Sequence, residues 1–517
     1  MKRLYTISSF LLMNICSFAQ IHSSQQIDSL IEKTREAFNV PGIAVAVIKD
    51  GKIIHSKGYG VRSLNTMNPV DENTLFGIAS NTKAFTATAL GILVDEGKIQ
   101  WDDKVIKYIP EFKLYDAWVT KEFTIRDLLT HRSGLGMSAG DLIYYPDSSD
   151  FAIKDIIYGL RFRKPASSFR SKFEYNNSMY IVAGEVVARV SGKSWEDFIE
   201  ERIFRPIEMT QSAASFNRIK NKSNVIDAHA LVNNTVQVIP RHYGTTYHAA
   251  GGIYSSIADL SKWGMLQLAH GKYGDSLHNQ LFSDNVHEEM WSPQTIMQVQ
   301  NPVFYNTHFK AYGLGFVITD VQGYKQILHR GFVEGMKSQI TMLPELNLGI
   351  IVLTNQQEGG AFEAITNQIL DGYFNIHGRD WINTCLNSKK QSLESAKNIT
   401  DSVARITAQT QTSDNRNIKP YTGIYHDPWF GDVVISMNNG KYWFKSKRSP
   451  LLTGEIFPYK DYTFIVKWRT RSLDADAFIT FSEIHKGKPI KMTIKSISPL
   501  ADFSCDFQDL DFTRISQ

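Results

Sequence analysis

The run Ser80-Asn81-Thr82-Lys83-Ala84-Phe85 contains the one Ser-x-x-Lys of this chain. Apolar residues recur at helical spacing across 84–97 and no Pro interrupts them, so we expect Ser80 to start a helix with Lys83 one turn later. The two side chains then share a helix face, where a desolvated lysine can take the serine proton. The pair is a candidate nucleophile and base. The alternative is an N-cap serine followed by a solvated lysine.

Two further short motifs follow in the chain. Tyr175-Asn176-Asn177 is a Tyr-x-Asn, and His329-Arg330-Gly331 is a His-x-Gly on a predicted strand. With Ser-x-x-Lys ahead of them, the chain resembles the serine β-lactamase and penicillin-binding-protein superfamily, in particular the class C-like group of D-aminopeptidases, D,D-carboxypeptidases and family VIII esterases. The resemblance runs from about Ile27 to about Tyr373 and includes the stretches Ile92–Ile99, Thr124–Leu135, Ala250–Ser256, Tyr312–Gly315 and Gly349–Asn355.

The order of predicted elements agrees with the fold that this resemblance implies. A helix over 24–38 precedes a hairpin with Asp50-Gly51 as its turn, and a largely helical middle then reaches about Leu268. Strands are predicted over 312–319, 324–332, 338–343 and 349–355, and a closing helix over 361–374. We therefore expect an α+β domain, an antiparallel sheet flanked by helices with a helical subdomain.

The resemblance also implies roles for the motif residues. Ser80 would attack an amide or ester carbonyl and form an acyl-enzyme, with Lys83 and Tyr175 as the catalytic proton-transfer partners. A Lys83 ammonium would either favour the Tyr175 phenolate or relay its proton; the alternative for Tyr175 is a packed aromatic hydrogen-bonded at its tip. Asn177 would orient Lys83 and contact a substrate amide. The backbone amides of Ser80 and Phe332 would form the oxyanion hole.

The third motif departs from the Lys-Thr-Gly of β-lactamases. His329 places a largely neutral imidazole where those enzymes carry the lysine that binds a substrate carboxylate. Arg330 would restore a cation only by facing the cleft, and strand alternation turns it the opposite way. A structural His329, bonded to the helical subdomain, is the alternative. We expect Gly331 to leave room for substrate beside the strand.

Composition narrows the function classes. Lys and Arg number 56 against 52 Asp and Glu, a net charge of +4 without a basic tract, so no nucleic-acid partner is implied. The histidines form no His-Glu-x-x-His pattern, so no metal site and no cofactor is expected. Cys385 and Cys505 fall in different predicted domains, which favours free thiols.

The N-terminal residues predict export. Lys2 and Arg3 precede an apolar run through Leu12 and a small-residue site at Ser17-Phe18-Ala19. This is typical of a signal peptide over residues 1–19, cleaved after Ala19, for a periplasmic or secreted protein. Lipidation of Cys16 would need small residues before it, and Asn14-Ile15 are not small. No later run is long enough for a transmembrane segment.

The rest of the chain divides into three predicted parts. The hydrolase domain spans 20–387, a polar and partly helical linker 388–419, and a small all-β domain 420–517. Short alternating strands with turns at Asn438-Asn439-Gly440 and His485-Lys486-Gly487 indicate a barrel or sandwich, which resembles the lipocalin-like domain of some family members. We expect this domain to have an independent core and to serve for capping or assembly, without chemistry of its own.

The sequence thus predicts a periplasmic or secreted serine hydrolase. Its partner would be a small-molecule or peptide substrate: a D-amino-acid peptide, including one derived from peptidoglycan, a β-lactam or a small ester. The alternative is a binding or sensor protein of the penicillin-binding type, which traps the acyl group without turnover. The oligomeric state is left open.

Overall fold

The computed structural model describes residues 23–146, 149–241, 244–301, 303–413 and 418–516. The predicted signal peptide, residues 1–19, lies outside these residues. The expected α+β arrangement is confirmed: an antiparallel sheet with helices on both faces is followed by an all-β unit. In the described part of the chain, no helix combines the length and the apolar character needed to cross a membrane.

An eight-stranded antiparallel sheet organises the first part of the described chain. The N-terminal hairpin pairs with the strand that comes last in sequence, so that Val45 faces Val352. Across the sheet the strands are Lys52–Gly60, Gly42–Lys49, Leu348–Thr354, Met336–Leu343, Tyr324–Val333, Val317–Val321, Lys310–Tyr312 and Thr295–Ile296.

Both faces of this sheet are buried, as the strand Gly42–Lys49 shows. Its odd-numbered residues from Ile43 to Val47 pack in the cluster that includes the helices Ser24–Ala37 and Gly360–Tyr373. Its even-numbered residues from Ala44 to Ile48 pack in the cluster of the opposite face, with the helix Ile257–Leu268. Alternation therefore divides one apolar strand between two cores.

The helical subdomain lies on that second face. It contains the helix of the Ser-x-x-Lys motif, Thr82–Asp95, which we call the serine helix. Besides Ile257–Leu268, the other α-helices described between the N-terminal hairpin and residue 290 are Ala117–Glu122, Ile125–Leu129, Ile153–Gly159, Asn177–Ser191, Trp195–Ile199, His248–Gly251 and Asp284–Met290. Two-stranded sheets pair Phe76–Gly77 with Tyr254–Ser255, His229–Val232 with Thr235–Val238, and Lys272–Tyr273 with Asn279–Gln280.

The prediction of one strand over 312–319 is wrong, because this segment forms a hairpin. Lys310–Tyr312 and Val317–Val321 pair with each other around a turn in which Gly315 has a φ of +86°. A Cβ on Gly315 would lie 2.9 Å from the carbonyl oxygen of Lys83. The glycine therefore allows both the turn and its close contact with the serine helix.

A long helix, Trp381–Ser413, leads to a closed eight-stranded barrel, which we call the C-terminal barrel. Its strands are Gly423–Asp427, Gly431–Asn438, Lys441–Ser446, Thr453–Lys460, Thr463–Trp468, Ala477–His485, Lys488–Ser496 and Phe512–Ser516. Phe512–Ser516 closes the ring by pairing with the strands at both of its sides. The first, fourth and last of these strands were not foreseen from the sequence pattern.

The expectation of an independent barrel core is wrong. One cluster of buried apolar residues runs from the helical subdomain into the barrel. Phe151 packs on Phe430 with ring centroids 6.2 Å apart, and the Arg163 guanidinium lies 3.9 Å from the ring centroid of Trp429. An ion pair of 2.6 Å joins Arg448 to Asp150. The domain limits given above stay predictions.

Cys385 and Cys505 are both buried. In the described structure both are free thiols, as expected.

Candidate active site

Ser80 lies on a strained turn at the start of the serine helix. A 3₁₀ turn, Ala79–Asn81, runs directly into Thr82–Asp95, and Ala79 has a φ of +47°. A non-glycine residue in this left-handed region costs about 1–2 kcal/mol. Strain of this kind persists only where the surrounding packing imposes it, and it concentrates at functional sites.

Lys83 is completely buried behind Ser80. Its Nζ lies 3.0 Å from Ser80 Oγ, 2.6 Å from Asn177 Oδ1 and 2.8 Å from the carbonyl oxygen of Ala250. Burial lowers the pKa of Lys83 to about 7, against the opposing attraction of Asp141. A neutral amine donates two N–H groups, and the Asn177 and Ala250 oxygens can only accept. As an ammonium, Lys83 donates to Ser80 Oγ; in the neutral amine the remaining lone pair faces Ser80, and the hydroxyl donates to it.

Asn177 connects Lys83 to a buried carboxylate. It begins the helix Asn177–Ser191, which Asn176 caps by accepting from the backbone N–H of Met179. The Asn177 amide accepts from Lys83 through Oδ1 and donates through Nδ2 to Asp141 Oδ2 at 2.8 Å. Burial raises the pKa of Asp141 to about 6. The amide is thus held from both ends.

Tyr175 packs over the lysine. Lys83 Nζ is 4.9 Å from the centroid of the Tyr175 ring, and the Tyr175 hydroxyl hydrogen-bonds with Ser80. Burial holds the pKa of Tyr175 well above its ordinary value. The buried phenol and a lysine with a lowered pKa both favour a neutral pair over a phenolate, and the phenolate alternative stays a prediction. A proton relay between them stays a prediction.

His329 is buried in the sheet, with 4% of its surface exposed. Its Nδ1 donates to the backbone carbonyl of Arg330 at 2.7 Å, so its Nε2 accepts from the Tyr312 hydroxyl at 3.0 Å. Burial, followed by the charge of Lys83, lowers the pKa of His329 to about 3. His329 is therefore neutral, as expected, but its side-chain partner lies on another strand of the sheet and not in the helical subdomain.

The two residues after His329 contact other segments of the chain. Arg330 donates from Nε to Gln339 Oε1 at 3.0 Å and lies 3.7 Å from Glu363. A Cβ on Gly331 would lie 2.1 Å from the carbonyl oxygen of Ile78 and 2.3 Å from Ser338 Oγ. The expectation that Gly331 serves substrate access is wrong: the glycine lets its strand rest on the residue that precedes the serine turn.

Two cavities meet at Ser80. The larger, about 510 Å³, is lined mainly by aromatic and aliphatic residues, and its charged lining residues are Lys310, Arg330 and Glu363. The smaller, about 100 Å³, is lined by residues 502–504 of the C-terminal barrel and by tyrosines of the helical subdomain. Ser80, Phe332 and Phe503 line both cavities. A substrate bound across Ser80 would thus have one group on each side of the reacting carbonyl.

The structure brings Ser80, Lys83, Tyr175 and Asn177 together; their roles, and the oxyanion hole at Ser80 and Phe332, stay predictions. Sequence reasoning missed other residues that surround them: His131, Asp141, Tyr312, Phe503 and Ser504. His131 and Tyr312 lie in stretches that carry the family resemblance, which was a usable signal. The other three carry no local motif.

Comparison with known proteins identifies the first part of the chain. Residues 27–372 match the family described as Beta-lactamase, and residues 407–514 match a domain of unknown function, DUF3471. The chain is 26% identical to Unguisins hydrolase ungD' of Aspergillus campestris over 428 residues, which are 80% of this chain and 77% of that protein.

Two other proteins are similar to this chain, one in sequence and one in fold. Protein flp of Staphylococcus aureus is 26% identical over 335 residues, 64% of this chain and 63% of flp, so the chain spans less than two thirds of flp. The octameric penicillin-binding protein homologue from Pyrococcus abyssi has a TM-score of 0.60 at 22% identity and covers 93% of this chain and 99% of its own. With the match over residues 27–372, the chain belongs to the beta-lactamase family of hydrolases.

Proposed function

We propose that this protein is a periplasmic or secreted serine hydrolase in which Ser80 forms an acyl-enzyme with an amide or ester substrate. The observation that carries the proposal is the buried Lys83, whose two acceptor-only partners leave its lone pair to Ser80. A base so placed, with a pKa near neutrality, activates a serine without a histidine.

The chemistry follows from these contacts. Lys83 takes the hydroxyl proton as Ser80 Oγ bonds to the carbonyl carbon, and the amides of Ser80 and Phe332 stabilise the oxyanion. The tetrahedral intermediate then releases its leaving group, which takes the Tyr175 proton, and the Lys83 ammonium restores that proton. Water attacks the acyl-enzyme by the reverse sequence, which returns Ser80 and releases the acid.

The third motif favours uncharged substrates. His329 is neutral, and Arg330 is engaged by Gln339 and Glu363. Arg330 is the cation that this strand offers to the larger cavity at Ser80, but its bonds to Gln339 and Glu363 make it a weaker partner for the carboxylate of a β-lactam than an unengaged lysine would be. We therefore propose that uncharged esters or amides react better than β-lactams. A clear preference for a chromogenic cephalosporin over a nitrophenyl ester and a D-alanyl anilide would contradict this.

The decisive experiment is labelling by a fluorophosphonate, followed by mass spectrometry. The adduct should form on Ser80, and Ser80→Ala should remove both the adduct and hydrolysis while the protein stays folded. Ser178→Ala is a matched control: Ser178 is buried nearby, and its hydroxyl has no hydrogen-bond partner among the described residues. An adduct on another residue would refute the nucleophile.

Steady-state kinetics separate an enzyme from an acyl-trapping protein. Continuous product release supports hydrolysis, whereas one stoichiometric burst without turnover would favour the trap. The proposed export is supported by the N-terminal pattern of Lys2, Arg3 and the apolar run after them. N-terminal sequencing of the mature protein should begin at Gln20.

A further inference from the structure

The loop that follows the strand Lys488–Ser496 of the C-terminal barrel reaches the active site. Ser504, 8% exposed, donates from Oγ to Asp141 Oδ2 at 2.8 Å. Asp506 accepts from the backbone N–H of Gly140 at 2.6 Å. The Phe503 ring packs edge-on against Tyr175, with ring centroids 5.9 Å apart. The barrel therefore holds the segment 140–141 at two adjacent points, one of which is the carboxylate that bonds Asn177.

An ionised Asp141 determines which way the Asn177 amide points. A carboxylate only accepts hydrogen bonds, so the Nδ2 group of Asn177 faces Asp141 and Oδ1 faces Lys83. The opposite orientation would set the Asn177 oxygen against an oxygen of the ionised Asp141. Buried polar groups left in that state cost free energy, so the observed orientation is fixed.

The orientation of this amide sets the orientation of the Lys83 amine. With Oδ1 toward Lys83, both N–H groups of the neutral amine are used by Asn177 and Ala250, and the lone pair faces Ser80. With Nδ2 toward Lys83, the lone pair would accept from Asn177 instead. The base would then be turned away from the serine hydroxyl.

We propose that Ser504 of the C-terminal barrel is a positioning residue of the active site, acting through Asp141 and Asn177 on the orientation of the Lys83 amine. This inference rests on the proposed function of Ser80 and Lys83. It makes the barrel part of the catalytic unit.

The charged and titratable groups around this path come from several elements. Asp141 is faced by Lys83 and Tyr175 on the substrate side and by Tyr144, Arg163 and Asp506 on the barrel side. Lys83 lies against the rings of Tyr175 and Tyr180 and within the electrostatic range of His131 and His329. Both histidines have lowered pKa values and stay neutral near pH 7, so Lys83 and Asp141 titrate near neutrality, and Asp506, whose pKa burial raises to about 9, titrates at the alkaline end of the range.

Removal of the Ser504 hydroxyl should shift the pKa of Asp141 in a defined direction. The hydroxyl donates to the ionised carboxylate, so its loss raises the pKa of Asp141 above about 6. A protonated Asp141 can donate to Asn177 and release the amide to turn. The active state, with Asp141 ionised and Lys83 neutral, is then lost at a higher pH than in the wild type.

The test is the pH dependence of Ser80 labelling in the full-length protein, from about pH 5 to about pH 9. Labelling by a fluorophosphonate forms the Oγ–P bond, expels fluoride and leaves the hydroxyl proton on Lys83. We expect Ser504→Ala to raise the midpoint of the acid limb by about 0.3 pH unit, because a rise of about one unit in the pKa of Asp141 brings it level with that of Lys83, which already limits this limb at about pH 7. Ser504→Thr keeps a hydroxyl and should restore the wild-type midpoint.

Asp141→Asn should lower the midpoint of the acid limb, opposite to Ser504→Ala. Asp141 raises the pKa of Lys83, so loss of its charge lowers that pKa, while labelling slows at every pH because either end of the new amide can face Asn177. Opposite shifts from neighbouring positions are not expected from a general loss of stability. They keep the inference testable even if Ser504→Ala folds poorly.

Ser472→Ala is the matched control. Ser472 is another buried barrel serine, and it donates to Glu334 Oε1 at 2.6 Å across the same interface but has no bond to Asp141. The midpoint of the acid limb of Ser80 labelling in Ser472→Ala should equal that of the wild type. An unchanged midpoint in Ser504→Ala, or a shift of the same size in Ser472→Ala, would overturn this inference and leave the proposed function unaffected. Absence of Ser80 labelling in the wild type would overturn the proposed function and this inference with it.

Discussion

The substitution Gly331→Ala should disturb the active site although the added methyl group points at Ile78 and does not contact substrate. The strand Tyr324–Val333 crosses Ile78, the residue before the strained Ala79–Asn81 turn, and the added methyl carbon would lie 2.1 Å from the Ile78 carbonyl oxygen. Carbon–oxygen contacts below 3.0 Å are essentially never observed. The obstacle is backbone and cannot rotate aside, so strand and turn must separate by roughly 1 Å.

Two measurable effects follow from that separation. Overpacking of this kind lowers the free energy of unfolding by about 1–3 kcal/mol, which urea denaturation measures. A displacement of about 1 Å at a reacting group costs about 100-fold in rate. We therefore expect fluorophosphonate labelling of Ser80 in Gly331→Ala to slow by about two orders of magnitude.

Gly136→Ala is the matched control for this substitution. The nearest atom to its added Cβ would be the Ala166 Cβ at 3.6 Å, an ordinary contact. Stability and labelling of this variant should stay at wild-type values. A Gly331→Ala protein that labels at the wild-type rate would refute the reasoning, because the strand would then not hold the serine turn in place.

Four further outcomes are expected. The wild-type labelling rate should rise with pH through about 7, because neutral Lys83 is the active form and burial lowers its pKa to about 7; a rate that is flat between about pH 6 and about pH 8 would exclude Lys83 as the base. Tyr175→Phe should slow hydrolysis of a D-alanyl anilide by about 10²–10⁴-fold and hardly change fluorophosphonate labelling, since fluoride leaves without a proton; equal losses in both assays would argue for a packing role. Trp429→Ala should lower the free energy of unfolding by about 3–5 kcal/mol, because the buried indole covers Arg163. A chain ended at Asn387 would expose the same surface and should be insoluble, and a soluble, labelling fragment would show that the barrel is dispensable.

Local sequence rules were enough for the fold class. Alternating or continuous apolar runs predicted the strands Gly42–Lys49 and Leu348–Thr354, and helical spacing predicted the serine helix, all of which the structure contains. These patterns work because the period of burial follows directly from backbone geometry. The hairpin at 313–316 was missed because its flanking strands together read as one apolar segment.

The residues of the candidate active site could be predicted only where they belong to a short sequence motif. Ser80, Lys83, Tyr175 and Asn177 belong to such motifs, and the structure brings them together. Ser504 could not be found this way, because nothing in its local sequence distinguishes it from other polar loop residues. The role of Gly331 was misjudged for a related reason: the atom that requires the glycine, the Ile78 carbonyl oxygen, belongs to a distant segment.

The hydrogen bond between Ser504 and Asp141 has a consequence for the order of folding. It joins residues 363 positions apart in sequence, and contacts between such distant residues are slow to form. The strand Phe512–Ser516 must pair with both of its neighbours before the barrel closes. If Ser80 and Ser504 act as proposed, the active site is completed late in folding, and we expect a partly folded chain to be unreactive toward a fluorophosphonate.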